Sequence, residues 1–204
     1  MQMIWANVYI LMVIFSLMST ISESGCVRDY DAHFGYVWRC ISTDANELMT
    51  FFQEQDAIAD GLIIEDSNFT YVEILPKSHL HQRVNCLSIK NSGVVGINPK
   101  YLNKWFAVSL LDLSRNIIED VSFLRFLPSG YLRDLDLSHN KIQNVDTNIL
   151  RNFHILSTVD MSHNYIKKLN FSNNFLRILN LSHNFIDIID SKNFLIYHIL
   201  MYSI

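Results

Sequence analysis

One eleven-residue pattern, Leu-x-x-Leu-x-Leu-x-x-Asn-x-Ile, recurs four times, over residues 108–118, 132–142, 156–166 and 176–186, with Val108, Val159 and Met161 in place of leucine. Its asparagines, Asn116, Asn140, Asn164 and Asn184, lie 24, 24 and 20 residues apart. A period in this range means that each unit is one short segment unable to bury its apolar face alone, so the units must stack. The alternation within Leu-x-Leu sends two side chains inward and the residues between them outward. Each unit therefore supplies one short strand, and successive strands pair as a parallel sheet about 4.8 Å apart. The Asn falls where the chain turns off the strand. Its amide both donates and accepts, so it can satisfy backbone groups that the turn would otherwise bury unpaired. Stacked copies make a ladder.

Counting back from Asn116 exposes weaker copies. Val84, Leu87, Ile89, Ser92 and Val94 keep the pattern with Ser for Asn, and Ala59, Leu62, Ile64, Ser67 and Phe69 keep it more loosely. The ladder is expected to run Ser67, Ser92, Asn116, Asn140, Asn164, Asn184, with looser turns at the serines. The pattern is that of a leucine-rich repeat. The expected fold is an α/β leucine-rich-repeat solenoid, a curved horseshoe with parallel strands on the concave face and a mostly irregular or short-helical convex side. Ile118, Ile142, Ile166, Val121, Val145, Phe126, Leu150, Trp105 and Phe153 recur at fixed offsets and read as convex-side packing positions rather than a ligand box. The expected division is residues 1–24 as a signal peptide, 25–58 as an N-terminal cap and 59–204 as a solenoid of about six units, the last incomplete. Within the cap, 36–42 reads as a strand covering the first repeat and 47–59 as a short helix.

Residues 8–18 form an apolar run of signal-peptide length, followed by Ser22 and Ser24, although no Lys or Arg precedes it. The alternative is an uncleaved anchor over 4–21; polar Asn7, Ser16 and Ser19 favour cleavage. With the signal removed, no stable membrane insertion is expected and the chain is secreted. Three N-x-Ser/Thr acceptors, Asn68, Asn170 and Asn180, agree with that route. Of three cysteines, Cys26 and Cys40 are close in sequence and are the preferred disulfide, which leaves Cys86 as a free thiol or an intermolecular bridge in a disulfide-linked dimer. After Asn184 the text reads FIDIIDSKNFLIYHILMYSI, without a polar or cysteine-rich cap. Either the chain is a fragment, or this tail folds back, or a partner covers it.

The outward positions of the strands make rows. One holds Ser88, Asp112, Asp136, Asp160 and Asn180, the next Lys90, Ser114, Ser138, Ser162 and Ser182, and the residues before each ladder position are Asn91, Arg115, His139, His163 and His183. Ser, His and Asp side by side suggest a hydrolytic triad, but an open sheet lacks the single pocket and oxyanion donors that such chemistry needs. Three stacked histidines suggest a zinc site, but repetition of one polar position by duplication explains them as well, and no H-E-x-x-H pair accompanies them. No catalytic residue, metal or cofactor is therefore expected. The candidate binding face is Asp112, Arg115, Arg133, Asp136, His139, Asp160, His163, Arg177 and His183, with the arginines placed to offset the aspartates. The net charge of −4 supplies no basic stripe for nucleic acid.

The repeat wording, the signal segment and a cap containing Cys26, Tyr30 and Trp38-Arg39-Cys40, followed by Leu62–Asn68 and Leu75-Pro76, resemble secreted insect proteins of the leucine-rich immune type. That resemblance implies pathogen recognition and disulfide-linked complexes with complement-like proteins. The group normally carries further repeats and a coiled coil, which this chain lacks. The expected function is a secreted, non-catalytic recognition module with a protein partner, complement-like or on a microbial surface. The alternatives are an ectodomain fragment of an adhesion or signalling receptor and, from another class, a metal-binding protein or enzyme using the His/Asp/Ser rows.

Overall fold

The computed structural model describes residues 25–54, 59–72, 83–128, 130–146, 149–170, 175–190 and 199–200. The expected signal segment lies outside these, and no helix among the described residues is long and apolar enough to cross a membrane.

Each unit folds as its alternation dictates. In chain order the strands are β1 (Cys26–Asp31), β2 (Gly35–Ile41), β3 (Gly61–Glu65), β4 (Tyr71–Val72), β5 (Cys86–Lys90), β6 (Gly96–Ile97), β7 (Leu110–Asp112), β8 (Asp134–Asp136), β9 (Asn144–Asp146), β10 (Thr158–Asp160), β11 (Lys168–Asn170), β12 (Ile178–Asn180), β13 (Ile188–Asp190) and β14 (Ile199–Leu200). The main sheet has nine strands in the order β1-β2-β3-β5-β7-β8-β10-β12-β14. Only β1 runs antiparallel, as one arm of a hairpin with β2. Every later neighbour is parallel and advances by one repeat, so Leu111 pairs with Leu135, and Val159 with Leu135 and Leu179. The fold is a leucine-rich-repeat solenoid.

The core is the inward column. Leu111, Leu113, Leu135, Leu137, Val159, Met161, Leu179 and Leu181 are all buried, as are Ile118, Ile142 and Ile166 behind them. Truncating one such leucine to Ala costs about 2–5 kcal/mol. On the back, two short parallel sheets replace some of the irregular chain expected there: β4 with β6, and β9 with β11 and β13. Two 3₁₀ helices, Ser122–Phe126 and Leu150–Asn152, and a four-residue helix at Pro99–Leu102 fill the rest. Trp105, Val121, Val145, Leu150 and Phe153 are buried there as expected. Phe126 is not. It ends its 3₁₀ helix 48% exposed, because Phe123, Leu124 and Leu127 already occupy the core side of that turn.

The cap is built like a repeat. Trp38 and Cys40 of β2 stand opposite Leu62 and Ile64 of β3. A helix at Ala45–Glu54 follows, started by Asp44, whose carboxylate accepts from the N–H groups of Asn46 and Glu47, while Glu47 accepts in return from Asp44 N–H. This reciprocal pair is a capping box. Leu48 and Phe51 of that helix pack onto the end of the core, Phe51 edge-on to Trp38 at 4.8 Å. Cys26 and Cys40 are cross-strand partners and form the disulfide. At the other end, β14 pairs in register with β12, Leu179 with Ile199 and Asn180 with Leu200, so the apolar tail adds a strand to the sheet.

Candidate recognition surface

The turn that leaves each strand sets the surface. Asn116, Asn140, Asn164 and Asn184 all bond in one way. The Asn140 amide nitrogen donates to the carbonyls of Leu113, Leu137 and Ser138 at 2.9–3.2 Å, and its oxygen accepts from Ile118 N–H at 3.0 Å. Each asparagine thus ties its own turn to the unit before it. Ser92 and Ser67 do less: each hydroxyl donates to one carbonyl two residues back and accepts from the backbone N–H of the preceding ladder residue. The ladder does not stop at Ser67. Thr43, 2% exposed, donates its N–H to the Ser67 hydroxyl oxygen at 3.1 Å, and the two hydroxyls share a hydrogen bond at 3.2 Å. Counting one more 24-residue step back from Ser67 would have found it.

The residue before each ladder position is left-handed. Ser42, Asp66, Asn91, Arg115, His139, His163 and His183 have φ between 45° and 57°. This conformation swings their side chains out of the strand's alternation, onto the rim where the chain turns. The three histidines therefore stack. The His139 and His163 rings are 4.0 Å apart at 9°, and those of His163 and His183 4.1 Å apart at 16°. Desolvation, then the charges of His139 and His183, hold His163 below the usual imidazole range, with Asp160 opposing and Arg115 adding. Beside the stack, Tyr165 and Phe185 lie parallel and exposed, 5.9 Å apart.

The aspartate row turns toward its own backbone. Asp112, Asp136 and Asp160 each accept from the N–H of the serine two residues on, at 2.8–3.0 Å, and Asn180 does the same for Ser182. Burial raises the Asp136 carboxyl above the usual range, with Asp112 and Asp160 adding to it and Ser138 opposing. The rim histidines meet the serine row through the backbone, His139 N–H donating to the Ser162 carbonyl and His163 N–H to that of Ser182. Among the described residues no side-chain hydrogen bond joins them to a serine or aspartate of these rows, so Ser, His and Asp are neighbours without being a relay. Likewise, no group of three or more His, Cys, Asp or Glu among the described residues is arranged to hold a metal ion.

The arginines are not where the offsetting role needs them. Asp112 is paired by Lys90, at 2.8 Å. Burial alone would lower the Lys90 ammonium, yet the hydrogen bond and charge of Asp112, with Glu65 and Asp136, hold it above the usual lysine range. No ion pair within 4.0 Å links Arg115, Arg133 or Arg177 to the row. Arg115 sits on the histidine rim. Arg133 and Arg177 precede β8 and β12 at the opposite edge, where they line a cleft of about 490 Å³ with Ser157, Ile155, Phe175 and His154.

Cys86 opens β5 as a residue 2% exposed, and burial, followed by the charges of Asp112 and Asp31, pushes its thiol up to about 12. Of its two expected fates, a free thiol or an intermolecular bridge, the structure has Cys86 free and buried, and a buried, protonated thiol is slow to exchange. Of the glycan acceptors, Asn68 is exposed, whereas the Asn180 amide nitrogen donates to Asp160 at 2.8 Å within the strand row. The Asn170 side chain lies outside the described residues.

No family model matches the sequence, and no curated protein matches it. Solved structures do. The leucine-rich repeat domain of APL1B superposes with a TM-score of 0.54 over 87% of this chain and 49% of its own length, at 16% identity. An LRIM1/APL1C complex gives 0.52 over 78% and 34%, also at 16% identity. A TLR13–ssRNA13 complex gives 0.52 over 72% and 28%, at 17% identity. The chain spans less than half the length of each neighbour. These likenesses establish the architecture: a leucine-rich-repeat solenoid.

Proposed function

We propose that the chain is a secreted, non-catalytic recognition module that holds a protein partner on the open face of its parallel sheet, in the setting of innate immunity. The observation that carries this reading is the arrangement of the polar side chains. They recur in rows across adjacent strands, the Asp/Asn row secured by its own backbone and the histidine rim by stacking, and none among the described residues converges on a reacting centre. Such a face is stiff and extended, which suits a large partner: little side-chain order is lost on contact. The Cys26–Cys40 bond and the exposed Asn68 acceptor fit an extracellular route. The likeness to APL1B and to the LRIM1/APL1C complex supports the repeat architecture, and the immune setting is what the resemblance of the wording around the cap cysteines implies.

The test is affinity capture from extracellular fluid with the immobilised full chain, comparing wild type, Asp136→Lys with His163→Glu, and a convex-side control, Arg125→Ala. A saturable protein partner should be retained by wild type and control and lost by the double variant. Equal capture by all three would overturn the reading.

A further inference from the structure

The edge from which the strands start carries a second, differently built feature. Arg133, Ser157 and Arg177 occupy the same position in three successive units, each just before its strand, and their backbones are linked. Ser157 N–H donates to the Arg133 carbonyl and Arg177 N–H to that of Ser157, both at 2.8 Å. Two strand spacings put the arginine Cα atoms about 10 Å apart. The small serine between them leaves a gap, and that gap is the 490 Å³ cleft. Its wall is apolar: Ile155 and Phe175 are 42% and 52% exposed, and His154 meets Phe175 edge-on at 5.6 Å.

The charge state of this cleft separates it from the rest of the sheet. Two cations borne on strands of that sheet, Arg39 and Lys90, are held by carboxylates at 2.8–3.3 Å. Arg133 and Arg177 have no carboxylate within 4.0 Å among the described residues, although Asp134 lines the same cleft. Two guanidiniums facing a shared gap bind a group with several anionic oxygens better than either alone, because each presents a planar fork of donors. The apolar wall adds a requirement for a flat or branched side chain beside the anion.

We propose that this cleft binds an acidic peptide segment of the protein partner, in which a carboxylate next to an aromatic or aliphatic residue bridges Arg133 and Arg177 over Ser157. The proposal rests on the protein-recognition reading and assigns it a charge preference. A fluorescein-labelled peptide of alternating Glu and Phe, titrated into the full chain, tests it by anisotropy. Arg133→Gln and Arg177→Gln should each weaken binding about tenfold, the expected effect of losing one charge-assisted hydrogen bond. The double variant should lose binding, and Ser157→Leu, which fills the gap without changing charge, should weaken it too. Unchanged melting temperatures would show that all variants fold, since these side chains lie at the surface. Equal affinity for a Lys-Phe peptide, or undiminished binding by the double variant, would overturn the proposal. Displacement by millimolar sulfate at the same potency as the peptide would overturn the peptide assignment. The two readings also separate in capture experiments. Partner capture unaffected by the double arginine variant overturns the cleft's role and leaves the recognition reading standing. Arginine-dependent peptide binding without any saturable partner supports the cleft and overturns that reading.

Discussion

At the scale of single residues, the ladder asparagines and the left-handed residues beside them do different work. Asn140 satisfies four backbone groups that its turn would otherwise bury unpaired. Asn140→Ala is expected to destabilise by about 1–3 kcal/mol, read as a shift in urea midpoint at constant slope; a neutral effect would mean that the turn is held otherwise. His163, beside the ladder, makes stability pH-dependent. Because His163 sits below its ordinary range in the folded chain, the unfolded chain takes up its proton first as pH falls. The stability this imidazole contributes is whole above the unfolded value and is lost as pH falls through it toward the lower folded value. Unfolding free energy should therefore drop as pH falls through and below the ordinary imidazole range, about 6.5, with a smaller drop in His163→Gln. Equal slopes in both proteins would remove the stack from the account. The same acidification adds positive charge along the rim, so partner binding by this face should weaken below about pH 6.

The row of histidines was legible in the sequence, but its position was not. Alternation of strand residues puts every second side chain on the open face, and by that rule His139, His163 and His183 would be directed inward. Their positive φ breaks the alternation. Asn and Asp at positions 91 and 66 are residues that tolerate this conformation, and they were the available hint.

At the scale of elements, the cap decides whether the column of leucines has a closed end. The disulfide holds β1 to β2, and the helix at Ala45–Glu54 sets Phe51 against Trp38 and buries Leu48 in the same core. Replacing Cys26 and Cys40 by Ser should cost about 3 kcal/mol, seen as a lower melting temperature. An unchanged melting temperature would place the cap's strength in its packing alone. Cys86 gives an independent check on β5. In the folded chain it should not react with a thiol reagent at pH 8, and it should react fully once unfolded; rapid native reaction would contradict its burial. The strand and helix of the cap were readable from periodicity. That the cap repeats the unit, down to Thr43 at the ladder position, was hidden because Trp38 and Cys40 stand where leucines are expected.

At the scale of the whole molecule, each repeat touches only its neighbours, so stability is a sum of units and interfaces rather than one all-or-none core. The central strands β7, β8 and β10 have a repeat on both sides. The amides of Leu113, Leu137 and Met161, which donate to the carbonyls of Asp136, Asp160 and Asn180, should exchange most slowly with deuterated solvent. Uniform protection from the cap to β12 would argue for a single cooperative unit.

The sequence by itself determined the architecture, because a fixed period and an inward Leu-x-Leu column admit one way of burying their apolar faces. It also marked the ladder, since a buried turn needs an amide at each Asn. Only the tertiary structure decided which side chains meet. Stacking of the units brought Arg133, Ser157 and Arg177 into one row across 44 residues of chain, took the arginines away from the aspartates, and buried Cys86 between strands. Those outcomes depend on turn conformation and on neighbours a full repeat away, and neither is written in the local pattern of any single unit.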